Sequence, residues 1–327
     1  MQQLADPLGI RDASAFVMAR ARDVRINQAK VRSVAREVIN HPVHPAVTTW
    51  ATDHLDSIRL SDDELANYVL VLDALNFYFW GNPRWRVSWH GESENGYWAL
   101  TIALRRAMQE GYPITDARYL ESIPGIDVAH ILRGESVIPA FAARVRNLEE
   151  VGAALLRDHD GRFLSCVHGA NGSAAALLRH IIALFPSFVD VRAYDSRIIP
   201  FYKRAQILVS DLHAAFESRG VTLFNDLSSL TAFADYKVPQ VLSQLGVLQY
   251  SPRLRQMLMA HAELPEGSPL EVEIRAATIM AVEEIAAATA AAGVSLPPYA
   301  IDWHLWALGQ RDGMSSLPYH RTRTTSY

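Results

Sequence analysis

The chain has 327 residues, half of them hydrophobic and a fifth charged, with a formal net charge of -4. That is the balance of a globular protein, and the acidic excess argues against holding long nucleic acid mainly by counterion release, while leaving room for a local basic cleft. Cys166 is the single cysteine, which excludes an intramolecular disulfide and a multi-cysteine metal site.

The opening MQQLADPLG has no basic stretch followed by an apolar run, so no signal peptide is expected. Asp73 interrupts the apolar run from Val69 to Trp80, and Glu283 and Glu284 interrupt the alanine-rich one. No membrane span is expected, and a cytoplasmic enzyme or binding protein fits. Ala5 to Ile39 reads as helix. His41-Pro42-Val43-His44-Pro45 is a break whose prolines forbid the helix that would place both histidines on one face for a metal. His54 reads as a hydrogen-bonding structural histidine. Ser61-Asp62-Asp63-Glu64 is a capping box. Its helix runs into Leu70, Leu72, Leu75 and the aromatics Phe77 to Trp80, a face that must be buried, and Gly81-Asn82-Pro83 stops it.

Trp85 to Gly96 alternates apolar and polar residues and suits a short strand pair or an irregular loop. Tyr97-Trp98 opens another helix, and Thr115 to Gly134 gives short helices broken by Pro124 and Gly125. Helices follow over Ala140–Asp158 and Ala174–Phe185, with Ala193 to Arg197 as a polar turn. In the helix after Pro200, Leu208, Leu212 and Phe216 mark a core face. Lys203 and Arg204 fall in its first turn, where the dipole disfavours cations. Such a local conflict is expected at functional sites, although long basic side chains can also reach out to solvent.

The chain is organised around Thr222 to Ser251, centred on Ala234-Asp235-Tyr236-Lys237-Val238-Pro239. Pro239 belongs in a first helical turn and Gly246 can close the helix. Asp235 then lies at or just before a helix N-terminus, where unpaired N–H groups favour the ionised carboxylate. Two readings stay open: an N-cap, or a carboxylate held ionised in an apolar pocket. Ser268-Pro269-Leu270-Glu271 is a capping box with proline at the first helical position, and its helix runs to Ala292; Glu273 and Arg275 in it read as structural. Leu296-Pro297-Pro298 is a turn, and Ile301 to Leu308 a short helix with Asp302, Trp303, His304 and Trp306. The tail His320-Arg321-Thr322-Arg323 is polar and basic. Dinucleotide, P-loop, nucleophile-elbow and zinc-protease motifs are absent. The capping and periodicity predict a mainly α protein: a compact multi-helix domain over 1–327, or two packed lobes, with a central cleft and at most a few short strands.

The pieces ALNFYFW, GYWAL, EGYPITDARYL, FYKRAQILVSDL, LTAFADYKVPQVL, GVLQYS and EVEIR, in this order, resemble the queuosine salvage protein family. The resemblance runs from about Asn76 to Arg323. It implies an all-helical enzyme that splits the N-glycosidic bond of queuosine 5′-monophosphate and releases queuine for reinsertion into tRNA. The family is held to be distantly similar to helix-hairpin-helix DNA glycosylases, whose Val-Asp-x-His-Val pattern has a counterpart in Ala234 to Val238. The Leu-Pro-Gly-x-Gly hairpin of those enzymes is missing, which counts against duplex DNA. Lys237 stands where arginine is expected, keeping the charge but not the planar fork.

N-glycoside cleavage passes through an oxocarbenium-like sugar that a carboxylate stabilises, captures or attacks through water. With the resemblance, Asp235 takes that role. Queuine is a 7-deazaguanine with a secondary amine, and it lacks the ring nitrogen that purine hydrolases often protonate. Asp195 and Asp226 are candidates to accept its N–H groups, with turn and N-cap roles as the alternatives. Tyr236 can stack on the base. Lys203, at a helix start, and Lys237 are candidates for the 5′-phosphate. No metal or organic cofactor is implied, and the expected partner is the small nucleotide, without a membrane or a stable nucleic-acid complex. Two other functions compete: a base-excision glycosylase, which would need a basic face and base flipping, and a non-catalytic nucleotide- or tRNA-binding module, in which Asp235 only caps.

Overall fold

The computed structural model describes residues 6–40, 50, 53–55, 57–310 and 317–327. The histidine-proline break at 41–45 lies outside them. The chain is mainly helical, with three two-stranded antiparallel sheets among the described residues, as the caps and periodicity predict. It divides into two compact units. One holds the described residues of Met1–Ala46, Asp190–Gln206 and Asp226–Thr324, the other those of Val47–Val189, Ile207–Asn225 and Thr325–Tyr327. Among the described residues no helix is long and apolar enough to cross a membrane.

The first unit is built on the helix Pro269–Ala291. Ser268 caps it by accepting the Glu271 N–H, and proline occupies its first turn. The Glu271 carboxylate accepts from the Gly267 N–H at 3.1 Å rather than closing a box on Ser268. Helices Ile10–Met18 and Gln28–Asn40 pack on it, and its alanines let neighbours approach closely. Most of its length is buried, so its polar side chains need internal partners. Glu273 accepts from the N–H groups of Arg22 and Asp23 and from the Tyr194 hydroxyl. Thr278 donates to the Ile274 carbonyl.

The single helix expected over Ala5 to Ile39 is in fact two, separated by the strand Val24–Ile26. That strand pairs with Leu248–Tyr250, Arg25 opposite Gln249. Helical spacing within Arg20 to Ile26 lost to a pairing partner more than 200 residues away, which no local pattern records. Strands Val191–Tyr194 and Arg197–Pro200 form a hairpin. Asp195 and Ser196 turn it with φ of 44° and 61°, the left-handed pair that two-residue hairpins require.

In the second unit, Ser61 and Glu64 form the expected capping box on Asp62–Ala74. The Arg144 guanidinium is fully buried. It donates to the Leu75, Phe77 and Tyr78 carbonyls at and beyond that helix's end, and lies 4.3 Å from the Phe77 ring centre. Trp85 to Gly96 resolves as the strand pair Arg86–Trp89 and Glu92–Asn95. Gly152, in the helix Phe141–His159, lets Ala117–Glu121 approach so closely that a Cβ would sit 2.1 Å from the Glu121 nitrogen. His54 Nδ1 lies 2.8 Å from the Trp50 carbonyl and Nε2 2.6 Å from the Tyr97 hydroxyl. A carbonyl only accepts, so the neutral ring carries its proton on Nδ1. Burial, above all, pushes its pKa down to about 4.

The most exacting buried contact in the first unit is between Arg275 and Asp190. Burial alone would raise the Asp190 carboxyl, but the Arg275 charge and its two hydrogen bonds outweigh it and hold the carboxyl below the usual range. The stabilisation from that lowered value is fully present above the unfolded-state pKa and is lost as pH falls through the folded one. Arg275→Met strands a buried carboxylate and should cost about 3–5 kcal/mol at neutral pH. In urea unfolding the gap between parent and variant should narrow at acid pH, where Asp190 can neutralise; a gap independent of pH would show that the pair is not ionised.

Candidate active site

The segment Leu230 to Asp235 is buried, and the fold fixes it one residue at a time. The Arg11 guanidinium donates to the carbonyls of Ser228, Ser229 and Leu230. Gln206 accepts the Thr231 N–H at 2.8 Å and donates to the Thr231 hydroxyl at 3.0 Å. The Phe233 N–H donates to Asp302 Oδ1 at 2.9 Å. The Ala234 carbonyl accepts from Arg275 Nε at 3.0 Å. A segment without regular secondary structure is thereby held by side chains from four other parts of the chain.

Asp235 follows, 8% exposed. The N–H groups of Lys237 and Val238, opening the helix Lys237–Gln244, donate to its Oδ1 at 2.8 and 2.9 Å. Both bonds fall on the same oxygen, and Oδ2 takes no part in them. Capping therefore engages one oxygen of Asp235 and leaves the other outside those bonds, so the two readings do not exclude each other. Burial raises its pKa, opposed by the Lys203 charge and then by the two N–H groups.

Lys203 is the first residue of the helix Lys203–Glu217 and is buried with Arg204. The placement of cations against the dipole has a local answer. Asp190 accepts the Lys203 N–H through Oδ2 at 3.2 Å, and its carbonyl accepts from Phe201 and Tyr202, so a carboxylate sits at this N-terminus. The same carboxylate binds Arg275, so one ion pair orients both Lys203 and the backbone before Asp235. The Lys203 charge reaches Asp235 and Asp302 alike, lowering both.

Asp302 is the acid that sequence reasoning passed over. It lies in the first turn and a half of the helix Pro298–Leu308, 2% exposed. Its pKa is pushed well above the ordinary value, first by burial and then by the negative charge of Asp235. The available signal was an acid among Ile301, Trp303 and Leu305 on a short apolar helix. That helix starts at Pro298, earlier than expected, because Pro297 is its cap and Pro298 suits the first turn.

The other candidates are placed as follows. Tyr236 is half-buried, its ring 4.9 Å from that of Tyr319. Lys237 Nζ is 3.4 Å from the Gly309 carbonyl and 5.9 Å from the Tyr319 ring centre. Asp226 is half-buried and precedes the turn Leu227–Ser229 without capping it by its side chain. Asp195 sits at the hairpin tip, its side chain 65% exposed and 3.9 Å from Arg20, apart from the buried group. The tail, which reads as polar and basic, is partly interior: His320 and Thr322 are buried, and the Arg321 carbonyl accepts the Leu264 N–H. Burial, then Arg275, drives the His320 pKa down to about 3. Among the described residues no group of His, Cys, Asp or Glu could hold a metal.

Paired carboxyls are the groups used in glycoside-splitting centres, and here the field of Lys203 reaches both. The family model described as queuosine salvage protein matches residues 57–327. A protein of Sphaerobacter thermophilus is 47% identical over 329 residues, covering 99% of this chain and 100% of its own. A mouse protein is 36% identical over 338 residues, with 99% and 100% covered. A protein of Schizosaccharomyces pombe is 30% identical over 319 residues, with 92% and 91% covered. All three are named queuosine 5′-phosphate N-glycosylase/hydrolase. This chain belongs to the queuosine salvage protein family.

The mutual field of the two carboxyls can be measured. In Asp235→Asn the Asp302 pKa should fall while staying above the ordinary aspartate value, because burial persists. Carbon-13 NMR of the Asp302 carboxyl reads this directly, and an unchanged titration would show that the two groups do not interact.

Proposed function

We propose that this chain hydrolyses the N-glycosidic bond of queuosine 5′-phosphate, releasing queuine, with Asp235 as the carboxylate at the sugar. The observation that carries the reading is the division of labour on Asp235. Two N–H groups fix Oδ1, which sets the direction of Oδ2 and favours the ionised form; burial withholds the water that would otherwise screen that charge. A developing oxocarbenium ion next to Oδ2 would be stabilised by a charge already in place. The same oxygen can take the proton of an attacking water.

Lys203 is the proposed phosphate ligand and Lys237 the second cation of the site. Holding a remote phosphate lets binding energy position the sugar. Tyr236 and Tyr319 offer aromatic faces to the base.

Asp235→Asn keeps an oxygen for both N–H groups and should fold. Turnover of queuosine 5′-phosphate should fall by about two orders of magnitude or more. Affinity for the intact nucleotide should change little, since the charge matters mainly as the bond stretches. Melting temperature, nucleotide affinity and queuine release by mass spectrometry make the comparison; a folded, binding variant that turns over within a few-fold of the parent would reduce Asp235 to a cap.

Lys203→Ala should weaken the nucleotide more than the corresponding nucleoside, read as KM for each. Equal losses would remove Lys203 from the phosphate role.

A further inference from the structure

The buried acids of the first unit are not alike in how they are satisfied. Asp190 and Glu271 share the Arg275 guanidinium. Glu273 accepts two backbone N–H groups and a hydroxyl. Asp302 accepts the single Phe233 N–H, and no ion pair to it forms among the described residues. A carboxylate buried with one hydrogen bond and no paired cation is costly, whereas the neutral acid is not. Its one bond also ties it to the segment that carries Asp235 two residues later. Asp235, by contrast, has two N–H groups on one oxygen and feels both Lys203 and Lys237. Burial raises both carboxyls, but two N–H groups and two lysine charges oppose it at Asp235, so Asp302 keeps its proton to the higher pH and the pair can divide into a base and an acid.

We propose that Asp302 is a second catalytic residue: it stands protonated beside ionised Asp235 and delivers its proton to the departing base. The inference rests on the hydrolase reading and adds the acid to it. The bond between the anomeric carbon and the base nitrogen breaks, and its electron pair goes to the base. The Asp302 proton goes to a ring nitrogen of the base, so that it leaves neutral. Water bonds to the anomeric carbon and its proton goes to Asp235. The products are the free base and ribose 5-phosphate. The carboxyls end with protonation states exchanged, and transfer of one proton from Asp235 to Asp302 resets them. A 7-deazaguanine makes such an acid useful, because carbon replaces the ring nitrogen on which a purine would be protonated.

The charged groups whose fields reach Asp302 are Asp235 and Lys203. Of the helices packed on its own, Lys237–Gln244 brings Lys237, which bonds Gly309. Pro269–Ala291 brings Arg275, Glu271 and Glu273, which are engaged with Asp190, with one another and with Tyr194.

The test compares two leaving groups in parent, Asp302→Asn and Asp235→Asn. One substrate is queuosine 5′-phosphate; the other is 4-nitrophenyl ribofuranoside 5-phosphate, whose phenolate leaves without a proton. Asn keeps an oxygen for the Phe233 N–H, so the fold should hold. Asp302→Asn should lose about 100-fold in kcat on the nucleotide with KM little changed, yet cleave the nitrophenyl substrate within a few-fold of the parent. Asp235→Asn should lose on both. The parent's kcat profile on the nucleotide should be bell-shaped, falling at acid pH as Asp235 protonates and at alkaline pH as Asp302 ionises. The alkaline limb should be missing for the nitrophenyl substrate, a readout that needs no variant. Equal losses of Asp302→Asn on both substrates, or the same alkaline limb for both in the parent, would overturn the acid role while leaving Asp235 in place. A parent that releases no queuine would overturn the hydrolase reading, and this inference with it.

Discussion

The buried pair between Arg275 and Asp190 is the contact on which the site depends. A buried ion pair is weak evidence of stability, because desolvation offsets most of the attraction. Its value here is geometric. The guanidinium is a rigid planar fork, and its three arms are committed: two nitrogens to Asp190, and Nε to the Ala234 carbonyl. The Asp190 carboxylate in turn takes the first N–H of the Lys203–Glu217 helix. One planar group thus sets the angle of the segment before Asp235 and the start of the helix that carries Lys203. A lysine at 275 could supply the charge but not the three directions.

The same logic explains why the Pro269–Ala291 helix contains polar residues at buried positions. Apart from Thr289, the buried positions of its second half are alanine and branched apolar residues, which pack against neighbours as core. Its first half holds Glu271, Glu273, Arg275 and Thr278, each bonded internally. A half-satisfied buried network would be worse than an apolar one. Asp302, on the helix that packs against this one, departs from the pattern: it has one backbone partner and sits in the field of Asp235.

Local chemistry was legible wherever a residue acts on its near neighbours. The Ser61 box, the Ser268 cap with Pro269 and the stop at Gly246 all depend on contacts within a few positions. Asp235 belongs to this class, since its cap is made to residues two and three positions on. The strand within Arg20 to Ile26 and the interior course of the tail were not legible, because their partners, Leu248–Tyr250 and Leu264, lie far away in the chain. Asp195 shows the reverse: a polar turn reads the same whether its acid faces solvent or substrate, and the structure points it outward with Arg20.

The sequence by itself determined the helical class, the capped helix starts and the family. Those follow from periodicity, capping and the order of seven short motifs. Only the tertiary structure decided which charges meet. Asp190, Lys203, Asp235, Arg275 and Asp302 come from five separate stretches of chain, and nothing in local spacing brings them together. Their protonation states depend on burial and on one another's fields, which exist only once the chain has folded.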